Sequence, residues 1–475
     1  MMSRHTTFRY CLDPTVDQSG VLTRHAGAAR FAFNQCLGMV KIALTQRNNH
    51  PDVRVPWTRF DLINAFNAWK KTEAAGRLFT VDSAGTAEIV VTGLAWRGQI
   101  HQQVFEEAAV DCARGLAAFT DFRTGKRAGK RVGFPRFKKK NKAVPAFRLR
   151  NTHAKNGRSA IRVGDSVHVR SVTLPGLGTI AVRDDTRRLR RMIAGGRAKI
   201  VQATVTLRAG RWWIGLTVQA ADLHPAHHHR PSERGEGGWV GVDRGLIAFL
   251  VAATTDGTEV ARVQAPKPLA AGLVRQRRLA KAVSRKQRGS AHHQQAAARL
   301  TRHHHRVRNI RRHCLHQAAN QLVKTHDRLV IEDLNVAGML GNPRLARAIA
   351  DVGWSDFARL LTYKQAWRGG EVAVADRWFP SSKRCSACGA ITPGLSLADR
   401  VFVCRCGHRA DRDLNAAVNL AHWPTLNKDL SRSPDLPAGG RVTNARRQEG
   451  ADRHSNVGET VLVDAGTEVC VTAVA

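Results

Sequence analysis

The stretch that most constrains this chain lies near its end: RCSACGAITPGLSLADRVFVCRCGHRADRDLNAAVNL, residues Arg384–Leu420. Cys385-x-x-Cys388 is a knuckle tight enough for two thiolates to share one ion, and Gly389 follows where the backbone turns back. Cys404-x-Cys406-Gly407 supplies a second pair. Four thiolates in a tetrahedral site make structural Zn²⁺. The second pair is one residue shorter than the usual spacing, which leaves open whether His408 replaces a thiolate. A redox CxxC or an unmetallated relic explains a group of four less well. Immediately downstream stand Asp411, Arg412, Asp413, Leu414 and Asn415, acidic residues at the head of a helix. Residues 384–408 therefore read as a zinc ribbon inserted just before the acidic head of that helix.

The remaining cysteines, Cys11, Cys36, Cys112, Cys314 and Cys470, are isolated, and the total of nine is odd. That is no secreted disulfide framework; metal binding in a reducing compartment is the better account. No apolar run approaches the roughly 20 residues of a membrane span, and the start, MMSRHTTFRYCLDPT, lacks a signal-peptide core. We expect a cytoplasmic, nucleoid-associated protein with no membrane partner. Lys+Arg 76 against Asp+Glu 37 gives a formal charge of +39, an excess that points to a polyanion.

The charge is concentrated. Residues 123–150, RTGKRAGKRVGFPRFKKKNKAVPAFRLR, carry twelve Lys/Arg and no acid, and residues 275–312 carry thirteen and no acid. A solvated surface usually mixes signs, so both segments are expected to meet phosphates. Lys130, Arg131, Arg136, Lys138, Lys139 and Lys140 are the candidate contacts in the first; Arg277, Arg278, Arg285 and Lys286 are those in the second. The first reads as an extended arm whose Phe134, Phe137 and Phe147 pack onto the body rather than stack on bases. The runs His227–His229 and His303–His305 read as polar filler and phosphate contacts, not metal sites.

Around these segments, residues 5–15 read as a strand ending at Asp13-Pro14, with a helix from about Val16 and a helical region to about residue 123. Trp57, Trp69 and Trp96 are expected in its core. Short antiparallel strands fill residues 160–220. The polar, Pro- and Gly-rich stretch 222–238 reads as a linker and the main domain boundary. After it come a strand pair, a long basic helix, and the strand LVIEDL. Residues 426–475 hold six Lys/Arg and seven Asp/Glu with fading periodicity and read as a disordered tail.

Three acids stand out by context. Asp243 closes the apolar strand WVGVD, Glu332 closes LVIE, and Asp413 opens the helix DLNAAVNL or lies in its first turn. A carboxylate at the end of a buried strand is costly unless something cationic satisfies it. Three brought together would repel unless divalent cations sat between them, the arrangement of a two-metal phosphodiester site. Oxygen ligands suit Mg²⁺ or Mn²⁺. Asp333 points to the other face if the strand continues; Asp411 is the rival to Asp413.

With these residues assembled, the sequence resembles the TnpB (OrfB) family of transposon-associated RNA-guided endonucleases, relatives of type V CRISPR effectors. The likeness spans most of residues 8–423. Its marks are RYCLDPT with RFAFN, GFPRFKKK before AFRLR, GVDRG, an Arg-rich helix with RHCLHQ, VIEDLNVAGML, CSACG, CRCG and ADRDLNAAVNL. The resemblance implies an α/β multidomain chain. Its RuvC-like (RNase H fold) nuclease domain would span 238–383 and 409–425 around a zinc-ribbon insertion at 384–408. A β-barrel wedge domain would take 1–20 and 124–225, and a helical recognition domain 21–123. It carries Asp243, Glu332 and Asp413 over as catalytic acids, and Cys385, Cys388, Cys404 and Cys406 as zinc ligands. It also implies cleavage of double-stranded DNA beside a short transposon-adjacent motif, guided by a noncoding RNA held by a single chain. The residues by themselves leave two competitors: a transposase performing strand transfer at the same acids, and a non-catalytic nucleic-acid-binding regulator.

Overall fold

Apolar and polar residues alternate along RWWIGLTVQA so that Trp212, Ile214, Leu216, Val218 and Ala220 are buried on one face, the pattern of a strand covered on one side. In the computed structural model this strand lies in the first of two compact units. The described residues are 4–81, 86–127, 129, 131–153, 157, 159–165, 167–220, 229, 238–395 and 399–427, with the backbone of 462–463. All but two residues of the expected linker 222–238, Lys130, and nearly all of the expected tail lie outside them.

The first unit begins with β1 (Arg4–Asp13) and α1 (Val16–Asn49). Asp13-Pro14 ends the strand, and Thr15 opens the helix through a capping box with Gln18. Next come α2 (Arg59–Trp69), β2 (Arg77–Val81), β3 (Ala87–Thr92) and α3 (Gln102–Arg123). The expected helical region is thus interrupted by a β2–β3 hairpin that the helical reading missed. The sheet continues with β4 (Ala146–Arg150), β5 (Arg162–Val163), β6 (Ser171–Leu174), β7 (Gly178–Val182), a short helix α4 (Arg187–Ala194), β8 (Ala198–Arg208) and β9 (Arg211–Ala220). The strand order is β4-β8-β9-β1-β7-β6-β5. Leu22, Ala26, Phe33 and Cys36 of α1 and Val104, Ala108, Cys112 and Leu116 of α3 are buried in one core with it, and Trp57, Trp69 and Trp96 pack against that core.

The second unit is built on β10 (Trp239–Asp243), β11 (Ala248–Thr254) and β12 (Glu259–Gln264). The basic segment follows as two helices, α5 (Pro268–Ser284) and α6 (Ala291–Thr325), rather than one. Then come β13 (Arg328–Glu332), α7 (Val336–Met339), α8 (Ala346–Val352), α9 (Trp354–Trp367), β14 (Glu371–Ala375), β15 (Val401–Val403), β16 (Arg409–Asp411) and α10 (Arg412–Leu426). The main sheet runs β12-β11-β10-β13-β14. β10, β11 and β12 are antiparallel neighbours, whereas β13 and β14 run parallel to β10.

Helices cover both faces of this sheet. Val240, Val242, Leu329 and Ile331 pack with α6 and α9 through Leu315, Ala319, Leu322, Phe357 and Leu361. The opposite face meets α10, through Ala417 and Val418 against Val251 and Ala253, and through Leu420 against Val330 and Ala375. Gly241 is where α10 crosses: a Cβ there would lie 2.0 Å from the Ala417 carbonyl oxygen. Only glycine lets the helix axis come this close.

Candidate active site and metal centre

Strand parity decides which side chains meet. β10 and β13 are parallel with Val242 opposite Ile331, so Asp243 and Glu332 are the next residues at the same end of adjacent strands. Side chains alternate between faces. Gly241 and Val330 face α10, so Asp243 and Glu332 face it too. Asp413 sits in the first turn of that helix. Three carboxylates, far apart in sequence, therefore gather at one edge of the sheet.

Their electrostatics agree with this placement. Asp243 keeps a solvent-accessible edge while protein withdraws water from its other sides. Burial pushes its carboxyl well above the usual carboxylate range, and the Glu332 and Asp413 charges push it the same way, against Arg244 and Arg412. Burial also raises Glu332, opposed by a hydrogen bond from Ser381 and by the Arg244 charge. Among the described residues, the cysteine quartet alone has three or more potential ligand atoms all within 4.8 Å of one another, so the carboxylates are spaced more widely than that. A mutually repelling trio with an open edge fits divalent cations bound between its members.

The two neighbouring acids are engaged elsewhere. Asp333 is exposed and pairs with Arg377 at 2.6 Å. Asp411 is the N-cap of α10: its Oδ1 accepts from the Leu414 N–H at 2.9 Å and lies 3.2 Å from the Arg262 guanidinium.

Several supporting side chains escaped the sequence reading. Arg244, only 6% exposed, donates through Nη2 to the Glu332 carbonyl and through Nη1 to the Trp354 carbonyl at 3.4 Å. It ties the ends of β10 and β13 to α9. The Ser381 hydroxyl donates to Glu332 Oε1 at 2.9 Å. Asn419 Nδ2 donates to the Ser381 carbonyl at 2.8 Å and the Arg384 carbonyl at 2.6 Å. One turn earlier on α10, Asn415 donates to the Arg384 carbonyl at 2.8 Å and accepts from the Ser386 N–H at 3.0 Å. The helix that carries Asp413 thus also fastens the entrance of the ribbon. Only spacing could have hinted at this, since Asn415 and Asn419 lie four apart on one helical face.

The four cysteines converge. Cys385 Sγ lies 3.7 Å from Cys406 Sγ, and Cys388 Sγ 3.6 Å from Cys404 Sγ. A tetrahedron with Zn–S bonds of about 2.3 Å has edges of about 3.8 Å, so the sulfur set fits Zn²⁺. Each knuckle closes at a glycine with positive φ, Gly389 at 77° and Gly407 at 89°, a conformation that favours glycine. Gly407 lets the short second pair reach the quartet. His408 is not among the ligand atoms; its Nε2 is 3.1 Å from the Ser386 hydroxyl.

The basic candidates divide. Arg277, Arg278, Arg285 and Lys286 on α5 and its C-terminal turn are exposed, and so are Arg131, Arg136, Lys139 and Lys140 in the arm. Lys138 differs from the expectation. Its ammonium lies 3.7 Å from the centroid of the Phe33 ring, its backbone is clasped by Asn34, and burial pulls its pKa down. The arm's Phe134 packs on Phe119 and Trp57, and Phe147 is buried, while Phe137 stays 46% exposed under Lys41. His303 also departs from the phosphate-contact expectation: it is 8% exposed and its Nε2 is 3.1 Å from the Gly272 carbonyl, packing α6 on α5.

Residues 354–420 match the family model "Cas12f1-like, TNB domain", and residues 225–343 match "Probable transposase". Residues 1–49 match "Helix-turn-helix domain", although residues 4–49 form one strand and one long helix. The "Putative RNA-guided DNA endonuclease Rv2885c" of Mycobacterium tuberculosis is 33% identical over 466 residues, 95% of this chain and 91% of that protein. A "Putative RNA-guided DNA endonuclease" of Streptomyces pristinaespiralis is 30% identical over 87% of this chain and 88% of its own length. A solved Cas12f1–sgRNA–target DNA complex aligns over 88% of this chain and 99% of its own protein chain, with a TM-score of 0.45 and 12% identity. With near full-length coverage at this identity, the chain belongs to the TnpB (OrfB) family.

Proposed function

We propose that this protein is a transposon-encoded, RNA-guided endonuclease that hydrolyses double-stranded DNA beside a short transposon-adjacent motif. The observation that carries the reading is the sheet edge shared by Asp243, Glu332 and Asp413, where burial and then the other two charges raise the pKa of Asp243. The names of the full-length relatives support the RNA-guided part. The strand order β12-β11-β10-β13-β14, with only the last two parallel to β10, supports a RuvC-like, RNase H-type nuclease domain over 238–383 and 409–425. The ribbon then spans 384–408, the wedge 1–20 and 124–225, and the recognition helices 21–123. The capping role of Asp411 supports Asp413 as the third acid.

Asp243, Glu332 and Asp413 would hold Mg²⁺ or Mn²⁺, which supplies an activated water and stabilises the leaving oxygen. The chain's own contribution is pre-organisation. Ser381 takes one lone pair of Glu332 Oε1 and so fixes which way that carboxylate opens. Arg244 holds the two strand ends in register. Burial and the neighbouring acids favour the protonated form of Asp243, so cation binding competes with a proton there. Cys385, Cys388, Cys404 and Cys406 would hold Zn²⁺ as a scaffold. The exposed cations of α5 and the arm would hold the guide RNA and heteroduplex by backbone contacts, leaving sequence choice to base pairing. Cleavage of a plasmid with a randomised flanking sequence, by full-length protein purified with and without co-expressed element-end RNA, tests this reading. RNA- and Mg²⁺-dependent cutting is expected; RNA-independent joining of transposon ends would overturn it.

A further inference from the structure

Among the described residues, Trp378 is the one fully displayed tryptophan: it is 84% exposed, whereas Trp212 and Trp354 are 4% and 3% exposed and Trp57, Trp69, Trp96, Trp239 and Trp423 pack against apolar cores. An exposed indole loses about the burial of a large side chain, so a position that displays one forgoes a few kcal/mol that ordinary packing would supply. Its setting is hydrogen-bonded and local to the acidic edge. On one side Arg377 pairs with Asp333 at 2.6 Å; on the other the Ser381 hydroxyl reaches Glu332 at 2.9 Å. Between these two anchors the chain makes an arch. The Trp378 N–H donates to Asp376 Oδ1 at 2.8 Å, the Phe379 N–H to the Asp376 carbonyl at 3.1 Å, and the Ser381 N–H to the Phe379 carbonyl at 2.8 Å. Trp378 stands at its exposed apex.

The reach of the arch is bounded by geometry. Consecutive Cα atoms are about 3.8 Å apart, so the Trp378 Cα lies at most about 11 Å from that of Ser381, which touches Glu332. That backbone span alone equals about three stacked nucleotides at about 3.4 Å each, and the two side chains extend it at either end. Arg377, Lys383 and Arg384 accompany Trp378 on this loop, against Asp376. An exposed indole on a loop that also carries three cations and leads to the acidic edge is the chemistry of a base-stacking platform, which accepts any base because every base has a π face.

We propose that Trp378 stacks on an unpaired base of the DNA strand being cut, a few nucleotides from the scissile phosphate. Trp378 is thereby a positioning residue for single-stranded DNA entering the site. The inference rests on the nuclease reading above.

The test uses the full chain with its co-expressed RNA. An abasic nucleotide is scanned through the cut strand, and single-turnover cleavage is measured over DNA concentration for wild type, Trp378→Ala and Trp378→Phe. Trp378→Ala is expected to weaken the half-saturating DNA concentration about tenfold with an unchanged melting temperature, and Trp378→Phe to recover most of it. One abasic position should cost wild type a similar factor and cost Trp378→Ala nothing more. In parallel, 5-iodouracil placed in the same strand is photocrosslinked to the Asp243→Asn chain and the adduct mapped by mass spectrometry. A crosslink at Trp378 without any wild-type cutting would sink the nuclease reading and keep the stacking site. Cutting with additive abasic effects and no adduct would sink the stacking site alone. An adduct only to the RNA, or a melting temperature lowered by several degrees in Trp378→Ala, would also overturn it, the first in favour of a guide contact and the second in favour of protein packing.

Discussion

The ribbon and the acidic edge are both ligand clusters attached to one helix, and they are built on opposite principles. The ribbon is closed: four sulfurs already stand about a zinc tetrahedron's edge apart, and each knuckle ends in a glycine that makes the turn. The acidic edge is open. Its three carboxylates are not drawn together so tightly; they repel, and each strand-borne member keeps a face toward solvent. A closed set of soft ligands stabilises a fold, whereas an open set of hard, frustrated ones invites cations and substrate. Helix α10 joins the two: Asp413 faces the edge while Asn415 and Asn419 hold the ribbon's entrance.

The comparison breaks most visibly at the acids. Asp243→Asn, Glu332→Gln or Asp413→Asn should each reduce cleavage by about a hundred- to a thousandfold, of the order seen when a transition-state stabiliser is removed. RNA retention in pull-down should be unchanged. Cys385→Ser should do the reverse in kind. Zinc measured by atomic absorption should fall from one per chain, and the melting temperature should drop, because structural metal binding is coupled to folding. Unchanged melting after full zinc removal would show the ribbon to be ornamental.

Between these extremes stands Asn419→Ala. It removes two hydrogen bonds to carbonyls at the ribbon's entrance, a loss of about 1–3 kcal/mol. Zinc should stay bound while cleavage falls about ten- to a hundredfold, since Ser381 and hence Glu332 lose their anchor. Equal loss of zinc and activity would mean that α10 supports the ribbon alone.

The pH dependence sharpens the contrast. Asp243 is raised in the folded chain, so the metal-free fold binds a proton that the unfolded chain releases, between the ordinary carboxylate pKa and the raised one. Stability should therefore increase as pH falls through that window, and Asp243→Asn should raise the metal-free melting temperature at neutral pH. A unit of this size gains about 2–4 °C for each kcal/mol of relieved desolvation and repulsion. A flat profile would argue that Asp243 is neither desolvated nor crowded by the other acids. The smallest effect is expected at Asp411→Ala. It removes an N-cap, about 1 kcal/mol, and should leave cleavage within a few-fold of wild type.

Much of this was legible in the sequence because it is local or periodic. WVGVD and LVIE announce buried strands ending in acids, and the parity of Asp333 follows from Glu332 by counting. The cysteine spacing announces the ribbon. What was not legible depends on partners brought together by the fold. Ser381 meets Glu332 across 49 positions, and Arg244 meets Trp354 across 110. Lys138 turns inward because Phe33 and Asn34, on a helix a hundred residues earlier, receive it. The β2–β3 hairpin was hidden for a different reason. Its residues are exposed on both strands, so no alternation of burial marks it.

Manganese binding to the full-length protein, measured by electron paramagnetic resonance alongside zinc content, tests the division between the two clusters most directly. Asp413→Asn should abolish saturable Mn²⁺ binding and leave one zinc per chain, whereas Asp411→Asn should change neither. Undiminished Mn²⁺ binding in Asp413→Asn, or its loss in Asp411→Asn instead, would contradict the assignment of the acidic edge.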